Sequence, residues 1–167
     1  MIGFPVGIVV ANVGEWFIHK HILHKRGREP GSYWRFHLDE HHRAASVCDG
    51  RDPAYEHIRL EWNAQTKEAV ALAAGAVALS PMFPVAPFFT AGIWYSMANY
   101  YYVHRRSHLD LEWARKNVPW HVDHHMGPNP ECNWCVTKPW TDILLGTRAP
   151  YVGTEAEAAD RARRAAA

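Results

Sequence analysis

The chain has 167 residues, enough for one domain core and too few for two. Its formal charge of +1 at pH 7 leaves no electrostatic footprint for a phosphate backbone, so nucleic acid is excluded as a partner. Asp, Glu, Lys and Arg are absent from residues 1–14 and 69–103, so the near-neutral average conceals two apolar blocks set between polar, histidine-bearing ones.

Residues 2–24 begin as an apolar run, Ile2 to Val13, and end in His19-Lys-His-Ile-Leu-His24. One helix is predicted, about 30 Å long at ~1.5 Å per residue and able to cross a bilayer core. Lys20, Lys25, Arg26 and Arg28 at its end place that end on the cytoplasmic side. The N-terminus lacks the basic region and cleavage site of a removable signal peptide. Glu29-Pro30-Gly31 breaks the helix, and a short cytoplasmic helix is expected to carry His37-Leu-Asp39-Glu-His41-His42. On an α-helix His37 and His41, four apart, share one face and reach one metal, while His42 turns toward a second.

After a turn at Cys48–Pro53, a helix from about Ala54 is expected to carry His57, Arg59, Glu61, Lys67 and Glu68 on a mixed face into the apolar Ala69–Leu79. Pro81, Pro84 and Pro87 forbid a continuous helix and mark the tip of a hairpin. Its return limb, Phe88 to Val103, delivers His104 and His108, with Arg105 and Arg106 again on the cytoplasmic side. Trp16, Trp62 and Tyr100 to Tyr102 flank the apolar blocks as interfacial aromatics do. A polar connector ends at Pro119. His121-Val-Asp123-His124-His125 follows, with His121 and His124 expected on one face and His125 turned toward a second ion. The resulting architecture is all-α: an integral-membrane protein with apolar spans at about 2–24, 62–80 and 86–104 and a histidine-rich cytoplasmic cap, 25–61 and 105–150. Residues 1–150 form one domain, and 151–167 are a frayed or disordered tail. Cys48, Cys132 and Cys135 lack the second pair that a four-thiolate zinc site needs and are read as reduced thiols.

Ten of the twelve histidines thus fall in four clusters, leaving out His21 and His57. Ten imidazoles are too many for one ion, since structural zinc takes four ligands and catalytic zinc three, and suit two ions with several ligands each. Ligand type alone leaves the metal open among iron, copper, zinc and nickel. Three functions remain open: redox chemistry with iron, hydrolysis by zinc-activated water, and metal binding without catalysis. The boxes contain no convincing extra base or nucleophile for the second, and ordered spacing argues against the third. Within and after the boxes, Asp39 and Asp123 are candidates to accept the distal N–H of a ligating histidine, and Asn133, Trp140 and Asp142 to hold the loop after the last box.

The order His19-x4-His24, His37-x3-His41-His42, His104-x3-His108 and His121-x2-His124-His125, with an apolar hairpin between the second and third, resembles the fatty acid hydroxylase/sterol desaturase superfamily. The stretch Asn133-Trp-Cys-Val-Thr137 followed by Trp140-Thr-Asp-Ile-Leu-Leu-Gly-Thr147 is similar to that family's NYGVT…WDxLFGT segment. It departs in having Cys135 at the glycine position, Thr141 between Trp140 and Asp142, and one extra residue in the second box. The resemblance implies two irons held by His19, His24, His37, His41, His42, His104, His108, His121, His124 and His125. It also implies O2 as co-substrate, a separate electron-transfer partner, and hydroxylation or desaturation of an apolar substrate such as a fatty acyl, sterol or carotenoid-like lipid, and purified protein could carry zinc in place of iron.

Overall fold

The computed structural model describes residues 2–57 and 61–166, and these contain helices and turns but no strand. Arg59, expected on a mixed helical face, lies outside them. Helix α1 (Gly3–Phe17) runs into a π-helical segment, Ile18–Lys25, and a second π-helical segment spans His37–His42. Helix α2 (Arg43–Val47) leads to a short 3-10 turn at Pro53–Tyr55. Helix α3 (Ala64–Leu79) and α4 (Pro87–Leu109) form the hairpin. Helices α5 (Leu111–Asn117) and α6 (Pro119–Met126) bring the last histidines into place, and α7 (Trp140–Leu144) and α8 (Glu155–Ala165) follow.

Local chemistry sets these boundaries. The helix expected from Ala54 starts ten residues later, at Ala64, because Asn63 supplies the cap: its Oδ1 accepts from the Thr66 N–H at 3.0 Å. Asp52 and Pro53 close the earlier segment into its own 3-10 turn. Prolines open α4 and α6 at their first positions, where the missing N–H is harmless. At the hairpin tip Phe83 stacks on Trp94 (5.3 Å, 8°), and Trp94 Nε1 donates to the Ala76 carbonyl at 3.0 Å, tying the limbs together.

Helix α1 crosses α4 where Gly7 meets Gly92. A Cβ on Gly7 would overlap the Phe89 carbonyl, and one on Gly92 that of Phe4, so only glycine permits this approach. A small core of Val103, Ala114, Val118, Val122 and Val136 joins α4, α5 and α6 beneath the cap. Residues 155–165, expected to be a frayed helix or disordered, form α8. Glu157 pairs with Arg115, and the Tyr151 hydroxyl donates to Asp160 Oδ2 at 2.8 Å. Polar anchors hold this helix where apolar periodicity gave no cue.

Among the described residues no helix is long and apolar enough to cross a membrane. Helices α1, α3 and α4 nevertheless turn large apolar side chains outward, among them Val9, Val13, Phe17, Val77 and Phe88, as does Val85 at the tip (88 % exposed).

Candidate metal centre

The four clusters converge into two nests. Ligating atoms of His19, His24, His37, His42 and His124 all lie within 4.8 Å of one another, as do those of His41, His104, His108 and His125. His121 joins the second nest through its Nε2, 3.0 Å from that of His108. All ten candidate ligands therefore face one of two points. His21 instead packs its ring against Trp16 and Phe17, and His57 is exposed.

The π-helical segments explain the partition. On an α-helix, at about 100° per residue, side chains five apart stand roughly 140° apart. Bonding from i to i+5 widens the turn and brings them to one side. His19 and His24 are such a pair, and so are His37 and His42; both pairs enter the first nest. This corrects the α-helical expectation that His37 would share a metal with His41, for His41 goes to the second nest. Where the helix is regular, four-apart pairs hold: His104 with His108 on α4, and His121 with His125 on α6. His124 alone turns to the first nest, so the expected pairing of His121 with His124 is also corrected.

Within the nests it is the Nε2 atoms that converge. His19–His37 and His24–His42 are each 3.1 Å apart, His37–His42 and His24–His124 each 3.2 Å, and His42–His124 3.3 Å. In the second nest His41–His104 is 3.2 Å. Five of the opposite ring nitrogens have partners of their own. His19 Nδ1 donates to the Trp134 carbonyl at 2.5 Å, His108 Nδ1 to that of Gly50 at 2.8 Å, and His124 Nδ1 to that of Cys132 at 2.8 Å. Carboxylates take two more: Asp52 Oδ2 accepts from His41 Nδ1, and Glu68 Oε1 from His104 Nδ1, both at 2.8 Å. The Tyr55 hydroxyl donates to the other Glu68 oxygen.

The tautomers follow. A backbone carbonyl or the Asp52 carboxylate can only accept, so the proton of His19, His41, His108 and His124 sits on Nδ1 and the Nε2 lone pair points inward. His41 and His104 bring their Nε2 atoms to 3.2 Å, a spacing that two ligands of one cation adopt. A metal–nitrogen bond of about 2.0–2.1 Å puts neighbouring ligand nitrogens roughly 2.9 Å apart at right angles and roughly 3.4 Å apart at tetrahedral angles. The observed separations fall within that range. His125 adds a second sign: both its ring nitrogens are buried without a hydrogen-bond partner among the described residues, a state that ligation would relieve. The donor set fits two imidazole-bound metal ions.

Protonation agrees with ligation. Burial, reinforced by neighbouring imidazoles, holds His37, His42, His108, His121 and His125 well below the ordinary histidine range. Burial also lowers His124 to about 4. All six are neutral at pH 7, the form that binds metal.

The carboxylates that orient histidines are Asp52 and Glu68, which the boxes did not point to. Asp39 lies on the exposed side of its segment and pairs with Arg35 at 2.6 Å. Asp123 is buried but accepts from the Tyr151 and Val152 N–H groups, with Arg148 beside it, and so anchors the chain after α7. Asn133, at φ 59°, accepts from Arg148 and from the Ala149 N–H. Asp142 accepts from the Trp134 and Cys135 N–H groups and the Thr147 hydroxyl. These three act one step back: they fix the loop whose Cys132 and Trp134 carbonyls orient His124 and His19. Helix α1 clamps the same loop, with Asn12 bonded to Lys138 and Thr141 and Glu15 to Val136 and Thr137. Burial pushes both the Cys132 and Cys135 thiols up, so neither is a ready thiolate.

A cavity of about 480 Å³ opens on these nests, within the range of small-molecule sites. Its lining includes His19, His37, His41 and His104 together with Glu15, Tyr55 and Glu68, and mostly apolar side chains of α1, α3 and α4 form the remainder. A family model described as fatty acid hydroxylase matches residues 4–147. The chain belongs to the fatty acid hydroxylase family. No curated protein and no solved structure matches it. Family membership supports an oxidoreductase that hydroxylates or desaturates lipid, and the two histidine nests fit a metal site.

Proposed function

We propose that the protein is an O2-dependent, di-iron lipid hydroxylase whose substrate lies in the apolar cavity with its reacting carbon against the two histidine nests. One observation carries the reading: the converging His41 and His104 Nε2 atoms, with Asp52 and Glu68 behind their rings, face a cavity whose remaining lining is mostly apolar. The first nest would hold one metal through His19, His24, His37, His42 and His124, and the second would hold the other through His41, His104, His108, His121 and His125. The chemistry supplied by bound iron is the redox activation of O2 that an unactivated C–H bond requires, with electrons drawn from an external redox protein.

The chain's own residues do the rest. Asp52 and the carbonyls of Gly50, Cys132 and Trp134 hold four rings in the ligating tautomer, and Glu68 fixes the orientation of the His104 ring. Trp134, fully buried, packs against His19, His24 and His124 and keeps water from the first nest. Apolar walls on α1, α3 and α4 admit a hydrocarbon and orient it. The outward apolar faces of the same helices support embedding in a bilayer, since a patch of that extent exposed to water would aggregate. Arg26, Arg28, Arg105 and Arg106 at the cap side support placing the cap in the cytoplasm.

The experiment is turnover. Protein from iron-replete medium, supplied with reductant, a redox partner and lipid extract, is expected to consume O2 and yield oxygenated lipid. Lack of O2 consumption together with water-dependent cleavage of an ester or amide would replace this reading with a hydrolytic one.

A further inference from the structure

The cavity has a measurable depth. Glu68 and His104, hydrogen-bonded at 2.8 Å, set its histidine end on α3 and α4. Leu79 and Ile93 are its deepest lining residues on those helices. Each lies eleven residues from the histidine end, or about 16 Å at ~1.5 Å per residue. On α1 the lining ends at Val10, one turn short of the Gly7–Gly92 crossing, where backbones touch and leave no room. The space is therefore a slot running from the nests toward the hairpin tip, with one wall pinched shut at its far end.

Part-way down, one pair from the two helices meets in the lining. Gly75 on α3 and Met97 on α4 both line it. Each is seven residues from Glu68 or His104, hence about 10 Å from the nests. A Cβ built on Gly75 would stand 3.0 Å from Met97 Cε, with nothing else within 4 Å apart from its chain neighbours and its own helix backbone. Passage at this depth thus depends on the absence of a side chain at residue 75 and on the posture of one flexible thioether.

We infer that Gly75 and Met97 form a chain-length gauge: they decide how much of an acyl chain is accommodated beyond about 10 Å from the reacting carbon. The inference rests on the lipid-hydroxylase reading for its choice of an acyl chain. A large side chain at residue 75 ends the slot at that depth, excluding long chains while leaving the site for short ones intact. Truncating Met97 widens the same point and favours long or bulky chains.

The test is binding, which is read separately from turnover. Displacement of a fluorescent fatty acid from the purified, iron-loaded protein in detergent is measured with decanoate and stearate, for wild type, Gly75→Leu, Gly75→Ala and Met97→Ala. Gly75→Leu is expected to weaken stearate at least ten-fold with decanoate changed less than two-fold; Gly75→Ala shifts the ratio the same way by less. Met97→Ala is expected to move the stearate-to-decanoate ratio the opposite way. Equal loss of both chains, an unchanged ratio in all three variants, or wild-type protein that binds neither acid overturns the gauge. Should Gly75→Leu fail to fold, judged by its iron content, Gly75→Ala and Met97→Ala decide. Continued O2-dependent lipid oxidation by wild type alongside an unchanged ratio would refute the gauge and leave the hydroxylase reading standing; absent oxidation would count against that reading instead.

Discussion

Replacing Asp52 with Asn removes one charge and almost no volume, so it isolates the orientation of His41. Asp52 is 2 % exposed, accepts from His41 Nδ1 at 2.8 Å through one oxygen and caps the Ala54 N–H at 3.0 Å through the other. With Asn, the amide oxygen can serve only one of these donors. If it stays on Ala54, the amide NH2 faces His41 and draws the ring proton to Nε2, the nitrogen that should ligate. If it turns to His41, the cap is lost and the hydrogen bond no longer carries a charge. Outer partners of ligating histidines are typically worth 10–100-fold in metal affinity, or about 1.4–2.7 kcal/mol. The loss should fall on the second nest, because the first contains no ligand oriented by Asp52. Competition with a graded chelator, followed by metal quantification, is expected to show one of two metals released at ten- to hundred-fold lower chelator concentration than in wild type. Retention of both metals at wild-type chelator concentrations, or their loss in parallel from a folded protein, would refute the reasoning.

Asp39→Ala removes only an exposed i,i+4 pair with Arg35; stability should change by less than about 0.5 kcal/mol in thermal unfolding, with metal content unchanged. Asp142→Ala leaves two buried backbone N–H groups and the Thr147 hydroxyl without their acceptor; at about 1–3 kcal/mol for each buried donor left unsatisfied, a loss of at least 3 kcal/mol is expected by denaturant titration, with metal lost first from the nest that His19 and His124 serve. Gly92→Ala drives a Cβ into the Phe4 carbonyl and should cost about 1–3 kcal/mol, seen as a lowered unfolding temperature. The metal-free protein should be acid-sensitive. His124 titrates at about 4 when folded because burial disfavours its charge, against about 6.5 for an unperturbed imidazole. The unfolded chain therefore binds the extra proton first, and stability is full above pH 6.5 and falls as pH drops toward 4. That ring alone accounts for about 3 kcal/mol, and the other buried imidazoles act in the same direction. Denaturant midpoints of the apo protein that stay flat from pH 7.5 to pH 4.5 would contradict this.

Much of the centre was legible from spacing, because a ligand set must be brought together from fixed positions and histidines have little other reason to cluster. The assignment of each ligand to a nest was not legible, since it depends on two π-helical segments. In an α-helix His21 is a better partner for His24 than His19 is, and only the wider turn reverses that order. Asp52 and Glu68 were missed for different reasons. Asp52 reaches His41 from a turn eleven residues away, invisible to helical periodicity. Glu68 did leave a trace: it is the last charged residue before the uncharged block at 69–103, where a carboxylate at an apolar boundary asks for a buried partner. Asp39, within the box, drew attention by sequence proximity alone, and its side chain points to Arg35. The role of residues 132–147 follows from hydrogen bonds across more than a hundred residues to Asn12 and Glu15, which no local pattern encodes.

The claim at the centre of this account is that the two nests each hold one redox-active iron. Protein expressed in iron-replete medium and purified without chelator or added metal should be measured by elemental analysis together with Mössbauer spectroscopy. Two irons per chain, with spectra that respond to dithionite and to O2, are predicted. One metal per chain, or two redox-silent zincs that iron cannot replace, would contradict it.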